Sequence, residues 1–293
     1  MATVAFIGLG VMGLPMAGHL QAAGHSLRLH SRRKGRAAKL LSRPNTQWTD
    51  SPADAASGAE MIFICVPDTP DVEQVIAGKQ GVIESAAAGS IVIDHSTIAP
   101  SATKELGDRL GRNNVWFLDA PVSGGEVGAR EGTLSIMCGG DRSAFDRAEP
   151  TLRAMGKEIT YCGPSGTGQL TKLVNQILVS VTTLGVSEAL IFAKKNGLNL
   201  DTTMRAVNGG AGSSWQLQRL GPKMISADNR PGFTVDLQQK DLRLVLDASD
   251  GSNTSLPATS LVHQLFTAAQ AAGHGKDGTQ ALFTVLEKLA STH

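Results

Sequence analysis

Cysteine is scarce in this chain, with three residues in 293. Cys65, Cys138 and Cys162 each lie in an apolar run, and none belongs to a CxxC pair. Disulfide-stapled domains carry many more cysteines, and zinc sites are typically marked by paired ones. The sequence therefore predicts buried thiols in a reducing compartment, and no metal site.

An excess of either charge is also lacking, because 27 lysine and arginine residues stand against 26 aspartate and glutamate residues, a net charge of +1. Without a broad basic field there is little to attract nucleic acid or an anionic membrane surface. No apolar run reaches the ~18 residues of a membrane span, and no basic segment precedes the first apolar stretch. We therefore expect a cytoplasmic protein that acts on small molecules, without nucleic-acid or membrane partners.

Glycine occurs at three informative positions near the start. The run VAFIGLGVMG at residues 4–13 places Gly8, Gly10 and Gly13 where an apolar strand turns into an amphipathic helix. Such glycines permit a tight turn, let the backbone approach a pyrophosphate, and let the helix pack on the strand. The run predicts a dinucleotide site, with a glycine-rich turn lacking a ligand as the alternative. The residues predicted to bind the cofactor here are Gly8, Gly10, Val11, Met12 and Gly13.

The residues after the second predicted strand indicate which dinucleotide binds. An NAD site usually carries an acidic residue about 20 positions after the glycines, which binds the ribose 2′-hydroxyl. Here the strand at 26–30 is followed by Ser31, Arg32 and Arg33, and the basic run to residue 36 contains no carboxylate. A guanidinium binds a 2′-phosphate through charge-assisted hydrogen bonds. The run predicts NADP(H), with NAD(H) less favoured; a solvated basic helix start is the alternative.

Short apolar runs alternate with helical patterns through the first half of the chain, which is typical of a sheet covered on both faces. The predicted strands are 4–7, 26–30, 61–66, 91–94, 116–119, 134–138 and 159–162. Ligands of a doubly wound sheet bind at the carboxyl ends of its strands. We therefore expect Val66, Pro67, Ser96 and Thr97 to line the cofactor site, unless they are ordinary loop residues.

Composition changes at residues 163–166, after which strand patterns stop. From Gln169 to Lys195 there is no proline, which predicts a helix about 40 Å long at 1.5 Å per residue. Further helical patterns lie at 201–207, 236–248, 257–272 and 279–290. We predict an α/β fold in which an N-terminal Rossmann-type doubly wound sheet, residues 1–163, is joined by the long helix to an all-helical C-terminal domain, residues 164–293.

The long helix carries the leading candidate for catalysis. Gly168, Lys172 and Asn175 are spaced i, i+4 and i+7, which places them on one face near the helix start. A partly shielded ammonium group can release a proton near neutral pH, as reduction of a carbonyl requires. Asn175 would orient the substrate or the lysine. On spacing alone, an exposed surface lysine is the stronger alternative.

Three further segments are weaker candidates. The segment Ser123–Gly125 follows a strand, where successive N–H groups and a hydroxyl would form an anion nest, and a bulged turn is the alternative. Lys240 beside Asp241 is either functional or an ordinary exposed ion pair. The small-residue loop at 209–214 leads to Trp215, which either closes over a substrate or anchors packing.

Four motifs resemble, in this order, those of the β-hydroxyacid dehydrogenase family over nearly the whole chain. They are FIGLGVMGLPMA at 6–17, DAPVSGG at 119–125, GQLTKLVN at 168–175 and KDL at 240–242. The resemblance implies that Lys172 is the catalytic acid/base and that the helical domain assembles a homodimer or homotetramer. It also implies substrate contacts for Ser123, Gly124, Gly125 and Asn175, and positions near the nicotinamide for Ser96, Thr97 and Lys240.

The resemblance further implies an NADP(H)-dependent oxidoreductase that interconverts a short-chain 3-hydroxy acid and its semialdehyde, and hence a small carboxylate substrate. The segments Gly124–Glu126 and Asn175–Gln176 favour tartronate semialdehyde, our first choice. Trp215, after Ser214, instead favours 3-hydroxyisobutyrate or a D-threonine/serine-type 3-hydroxy amino acid. The basic run leaves succinic and glyoxylic semialdehydes as further candidates. A catalytically silent cofactor-binding protein and an imine reductase are alternatives of another class, and neither needs an ammonium at Lys172.

Overall fold

The computed structural model describes residues 1–290 and divides into two compact units, Met1–Lys172 and a second that begins at Leu173. By contacts this boundary lies inside the long helix. The predicted domain boundary at 163/164 stays a prediction, and residues 291–293 of the predicted second domain lie outside the described residues.

The first unit contains a nine-stranded sheet. Its strands are β1 (Thr3–Ile7), β2 (Ser26–His30), β3 (Thr46–Trp48), β4 (Met61–Ile64), β5 (Ile91–Asp94), β6 (Trp116–Asp119), β7 (Val122–Ser123), β8 (Leu134–Gly140) and β9 (Gly156–Gly163). The strand order is β3-β2-β1-β4-β5-β6-β8-β7, with β9 beside β8. Strands β1 to β6 pair in parallel, with Phe6 opposite Leu29 on one side and Phe63 on the other. Their carboxyl ends therefore share one edge of the sheet.

Helices cover both faces of this sheet. In the first unit they are α1 (Gly13–Ala22), α2 (Ala38–Leu41), α3 (Pro52–Ala56), α4 (Thr69–Ala77), α5 (Pro100–Gly111), α6 (Gly125–Glu131) and α7 (Arg142–Leu152), with 3-10 turns at Lys34–Ala37 and Val82–Glu84. One face packs Leu20 of α1 and Phe145 of α7 in its core, whereas the other packs Val72 of α4 and Leu106 of α5. Every residue of β4 and β5 is buried, because both faces are covered. The predicted doubly wound fold is confirmed.

Local sequence signals explain where several helices begin. The Ser51 hydroxyl accepts a hydrogen bond from the Asp54 N–H at 2.9 Å and caps α3. Pro52 and Pro100 stand at the first positions of α3 and α5, where a missing N–H costs nothing. Proline also stands in the first turn of α4, so three helices of this unit carry the same local start signal.

The second unit consists of helices. The long helix α8 (Thr167–Lys195) begins in the first unit and is followed by α9 (Leu200–Asn208), α10 (Trp215–Arg219), α11 (Gly221–Ile225), α12 (Val235–Gly251), α13 (Pro257–Ala271), a 3-10 turn at Thr279–Ala281 and α14 (Leu282–Ala290). Among residues 173–290 strand pairing is limited to an isolated bridge between Thr234 and Gly278. The predicted helical C-terminal domain is confirmed.

Helix α8 is long and apolar enough to span a membrane by length and composition alone, since its best 18-residue window has a mean hydropathy of 1.6. Our expectation that no such stretch exists was wrong. Leu184 and Leu190 of this helix nevertheless pack in cores of the second unit, and Gln176 is buried and hydrogen-bonded. Core helices of soluble proteins have the same composition, and we interpret α8 as one of these.

Other local predictions were wrong or incomplete. β3 and β7 were not predicted, because strands of three and two residues show too little alternation. Strand β8 runs antiparallel to both β6 and β7, so the sheet is mixed at that end. Trp215 does not end a loop but begins α10, where the Ser214 hydroxyl accepts a hydrogen bond from the Leu217 N–H at 3.0 Å.

Candidate active site

The glycine loop between β1 and α1 has the shape that a dinucleotide needs. Gly8 has φ +98°, and a Cβ there would overlap the carbonyl oxygen of Cys65. A Cβ at Gly13 would overlap the carbonyl oxygen of Gly8. Gly10, by contrast, has no atom within 4 Å of a Cβ position, so its backbone is open to a ligand. The loop therefore fits a pyrophosphate that approaches the start of α1.

The residues after β2 divide into one that faces the glycine loop and two that face solvent. The Ser31 hydroxyl accepts a hydrogen bond from the Leu9 N–H at 3.3 Å. Arg32 and Arg33 are exposed, and Arg32 Nη1 lies 3.8 Å from Asp71 Oδ1 of α4. The arginines are accessible to a 2′-phosphate. The neighbouring Asp71 carboxylate was not anticipated, because it belongs to a helix that is remote in sequence.

The loops after β4 and β5 are joined by hydrogen bonds. The Val66 N–H donates to Ser96 Oγ at 2.9 Å, and the Ser96 N–H donates to Asp94 Oδ1 at 2.9 Å. Val66 is half-buried and Pro67 is exposed, at the edge of the sheet where the strands end. The structure thus brings together predicted cofactor residues that lie 30 positions apart.

His95 is a fully buried histidine between these loops. Its Nδ1 lies 2.7 Å from the carbonyl oxygen of Ala120, and its ring stacks on Phe63 with centroids 5.8 Å apart. Burial lowers the pKa of His95 to about 4, against a hydrogen bond to Ala120 that favours the charged form. The imidazole is therefore neutral at pH 7, with the Nδ1–H donating to Ala120.

Asp119 at the end of β6 anchors the start of α8. Its carboxylate is buried and accepts hydrogen bonds from the Gly166 N–H at Oδ1 and the Gln169 N–H at Oδ2, both 2.8 Å. Burial raises the pKa of Asp119 to about 6, although these backbone N–H groups favour the charged form. An acidic side chain at a helix N-terminus also complements the helix dipole.

The predicted carboxylate nest lies at a chain reversal. Ser123 is the last residue of β7 and pairs with Ser135 of β8. Gly124 has φ +130° and Gly125 has φ +62°, backbone conformations that residues other than glycine rarely adopt. The turn therefore depends on both glycines.

Lys172 is buried on α8, with 7% of its surface exposed. The surface-lysine alternative is therefore wrong. Gly168 lies four residues earlier, where a Cβ would come within 2.6 Å of the Asp119 carbonyl oxygen and 2.8 Å of its Oδ2. Gly168 thus lets the helix start approach β6 closely, a role that spacing alone did not reveal.

Asn175 and Lys240, both in the second unit, belong to one polar network. Asn175 Nδ2 donates to Gln176 Oε1 at 2.8 Å, and Gln176 Nε2 donates to Asp241 Oδ2 at 2.5 Å. Lys240 Nζ lies 2.7 Å from Asp241 Oδ1. Since Asp241 is 1% exposed, the exposed-ion-pair alternative is wrong. Gln176 and Asp241 therefore hold the Asn175 amide and the Lys240 ammonium in place.

Trp215 lies apart from this network in the described contacts. It is 55% exposed at the start of α10. The neighbouring residues Gly212–Ser214 border an apolar cavity of about 330 Å³ between α8 and α9, which Leu190 and Met204 also line. An exposed indole beside a cavity is compatible with contact to a ligand or a partner.

Two family models match the chain. Residues 3–163 match the NAD-binding domain of 6-phosphogluconate dehydrogenase. Residues 166–286 match the NAD-binding domain of NADP-dependent 3-hydroxyisobutyrate dehydrogenase. Together the two matches cover both units.

Relatives that match over nearly the whole length of the chain support the same family as the two family models. The chain is 41% identical to the 2-hydroxy-3-oxopropionate reductase of Escherichia coli K12, covering 98% of this chain and 97% of the relative. A structure of Mycobacterium tuberculosis 3-hydroxyisobutyrate dehydrogenase with L-serine has 31% identity and a TM-score of 0.87, covering 98% and 99%. A structure of Psf3 in complex with NADP+ and 2-OPP has 25% identity and a TM-score of 0.89, covering 97% and 100%.

The glycine loop fits a dinucleotide, the exposed arginines fit its 2′-phosphate, and the family matches span both units. The cofactor is accordingly NADP(H), with NAD(H) as the alternative. The chain belongs to the β-hydroxyacid dehydrogenase family, the NAD(P)-dependent oxidoreductases that act on the CH–OH group of 3-hydroxy acids.

Proposed function

We propose that this enzyme interconverts a short-chain 3-hydroxy acid and its semialdehyde with NADP(H), using Lys172 as acid and base. The burial of Lys172 near the start of α8 carries the proposal. Lysine is rarely buried, because an ammonium loses hydration there that only specific partners or a function offset. Its helix is anchored through Asp119 to the end of β6, the edge of the sheet where dinucleotides bind.

The nicotinamide ring supplies the hydride in reduction and accepts it in oxidation. Lys172 delivers a proton to the carbonyl oxygen as negative charge develops there, and removes it from the hydroxyl in the reverse direction. Gly8, Gly10 and Gly13 would hold the pyrophosphate, and Arg32 the 2′-phosphate. Because Lys172 is buried, water has little access to compete for its proton.

The substrate carboxylate is assigned to Ser123 and the backbone N–H groups of Gly124 and Gly125. The two positive φ values support this assignment, because they let successive N–H groups converge on an anion. Asn175 would orient the substrate, and Lys240 would lie near the nicotinamide end. Hydrogen bonds to a carboxylate that is remote from the reacting carbon orient the substrate, and this orientation raises kcat.

Tartronate semialdehyde is our first choice of substrate. The name of the Escherichia coli relative supports it, since 2-hydroxy-3-oxopropionate is tartronate semialdehyde. 3-Hydroxyisobutyrate is the second choice, which the Mycobacterium tuberculosis structure and the exposed Trp215 support. Trp215→Ala should change which group on the α-carbon is accepted.

An NADPH-oxidation assay over three aldehydes tests the substrate class. We expect kcat/KM for tartronate semialdehyde to exceed that for methylmalonate semialdehyde, and both to exceed that for propanal, which lacks a carboxylate. Ser123→Ala should weaken the preference only in part, because the backbone donors remain. If propanal matches the two acids, the carboxylate assignment is wrong.

Variants of the buried lysine test the chemistry. Lys172→Ala should lower kcat by about 10²–10⁴-fold, the range for one acid–base group, with little change in NADPH affinity. Lys172→Arg should be nearly inactive, because a guanidinium stays protonated at working pH. Lys194→Ala is the matched control, since Lys194 lies on the same helix in an exposed ion pair with Glu287. Full activity in either Lys172 variant refutes the mechanism, whereas a natural chain that oxidises NADPH with none of these aldehydes favours a silent or imine-reducing protein.

We further propose a cytoplasmic homodimer or homotetramer. Val174, Leu178 and Phe192 of α8 are 58, 65 and 68% exposed, and helical periodicity places them on one face. Such a face is typical of an assembly surface. Light scattering should give a multimer for the natural chain and a smaller species for Phe192→Glu; a monomeric natural chain contradicts the proposal.

A further inference from the structure

Gln169, the third residue of α8, has a fully buried side chain that binds the loop after β5. Its Nε2 donates to the carbonyl oxygen of Ser96 at 2.8 Å, and its Oε1 accepts from the Ile98 N–H at 3.1 Å. These two backbone groups flank Thr97, a predicted cofactor residue. A single amide therefore holds both sides of Thr97, as a neighbouring strand would.

The amide satisfies both groups, whereas an ionised carboxylate or an alkyl side chain does not. The bond to Ser96 needs a donor and the bond to Ile98 needs an acceptor, and a primary amide offers both in one plane. An ionised carboxylate accepts from Ile98 but faces the Ser96 carbonyl oxygen without a proton. An alkyl side chain leaves both buried backbone groups without a partner, which proteins avoid.

The backbone of Gln169 makes a third connection. Its N–H donates to Asp119 Oδ2 at the end of β6. The Ser96 hydroxyl, on the loop that Gln169 holds, also accepts from the Val66 N–H after β4. Hydrogen bonds that converge on Gln169 thus tie together the ends of three adjacent parallel strands, β4, β5 and β6.

Lys172 lies three residues beyond Gln169 on the same helix, about 4.5 Å along its axis at 1.5 Å per residue. We propose that Gln169 is a positioning residue that fixes Lys172 relative to the cofactor loop Ser96–Ile98. The proposal rests on the proposed role of Lys172 in proton transfer. The loop and the lysine then share one rigid frame, so the distance between the hydride donor and the proton donor is set before the substrate arrives.

Gln169→Glu and Gln169→Leu test this coupling. At pH 8 we expect kcat of both variants to fall by roughly 10- to 100-fold, the cost of a small misplacement at a reacting centre. The dissociation constant for NADPH, measured by fluorescence, should change less than about threefold, since the glycine loop and Arg32 are untouched. Lower kcat with nearly constant cofactor affinity distinguishes misalignment from a damaged cofactor site.

The pH profile distinguishes positioning from general damage. When the carboxyl introduced by Gln169→Glu is protonated, it regains one donor and one acceptor, so the kcat of this variant relative to the natural enzyme should rise between pH 8 and pH 5.5. Burial and the Asp94 carboxylate favour this protonation, as does Asp119 above its own pKa of about 6, whereas the Lys172 ammonium opposes it. His95, also adjacent, is neutral over this range. Gln169→Leu has no group to protonate, and its relative kcat should stay constant.

Hydrogen–deuterium exchange supplies a readout that does not depend on catalysis. The Ile98 amide should exchange faster in Gln169→Leu than in the natural chain, without cofactor or substrate. Gln21→Glu is the matched control, because the Gln21 amide also binds a carbonyl oxygen, that of Leu40 at 2.9 Å, and lies away from the strand ends of the site. This control should leave kcat and Ile98 exchange unchanged.

Three outcomes overturn the coupling: natural kcat in Gln169→Glu at pH 8, a loss of kcat no larger than that of Gln21→Glu, or faster Ile98 exchange with unchanged kcat. Failure of the proposed function itself is separately visible, because Lys172→Ala would then remain active whatever the Gln169 variants show.

Discussion

Replacing Gly168 by alanine probes the closest approach between α8 and the sheet. A Cβ at this position would lie 2.6 Å from the Asp119 carbonyl oxygen and would also overlap that of Met137. Both oxygens belong to strands, β6 and β8, so the helix start must move instead. Overpacking costs about 1–3 kcal/mol, and alanine returns about 1 kcal/mol of helix propensity. We expect a net loss of up to about 2 kcal/mol in unfolding free energy, measured by urea denaturation, and a displaced Lys172 with reduced kcat.

Gly185→Ala is the control for that experiment. Gly185 is an exposed residue of the same helix, and a Cβ there meets no atom within 4 Å. The substitution should therefore raise the unfolding free energy by up to about 1 kcal/mol and leave kcat unchanged. Equal effects of the two substitutions would show that close packing at Gly168 does not determine where α8 begins.

Three further predictions concern the cofactor, pH and the polar network. Arg32→Ala should weaken NADP(H) by about 2 kcal/mol in fluorescence titrations and leave NAD(H) nearly unchanged, whereas Asp71→Asn should strengthen NADP(H); equal losses for both cofactors contradict the assignment. Because the pKa of His95 falls from 6.5 to about 4 on folding, its contribution to stability is complete above pH 6.5 and lost as pH falls through 4. The unfolding free energy of the natural chain relative to His95→Asn should therefore decrease by roughly 3 kcal/mol from pH 7 to pH 4, and a constant difference refutes the buried neutral state. Asp241→Asn should lower kcat/KM about tenfold through loss of a charge-assisted hydrogen bond. Asp236→Asn is the control and should leave kcat/KM unchanged, because the Asp236 carboxylate pairs with a lysine and a glutamine, Lys276 and Gln270, at the surface of α12.

Periodicity and turn chemistry predicted most of the first unit. The strand before Gly8 and the helix after it depend on neighbours in sequence, so they can be recognised without a structure. The mixed end of the sheet was not predictable in this way. The direction of β8 depends on its pairing with β6 and β7, and no local pattern in Leu134–Gly140 encodes it.

The site residues also divide into those that the local sequence predicts and those that depend on tertiary contacts. Spacing placed Lys172 on a helix but favoured an exposed position, because burial depends on the elements that surround the helix. The resemblance supplied its role, and the structure supplied its burial. Gln169, Asp119 and Asp241 act through hydrogen bonds to residues 47 to 73 positions away, and a pattern of neighbours does not reveal such contacts.

The anchoring of the first turn of α8 has a consequence for recombining members of this family. Residues 166–169 are hydrogen-bonded to Asp119, Ser96 and Ile98, so they depend on the parent that provides those partners. A chimera joined at residue 164, where composition changes, would separate the two sides of these bonds. A crossover after Lys172 keeps them in one parent and places the junction within a continuous helix. Such hybrids exchange the helical unit as a cassette, while Lys172, the proposed proton donor, stays in the same parent as the loop Ser96–Ile98 that is predicted to bind the cofactor.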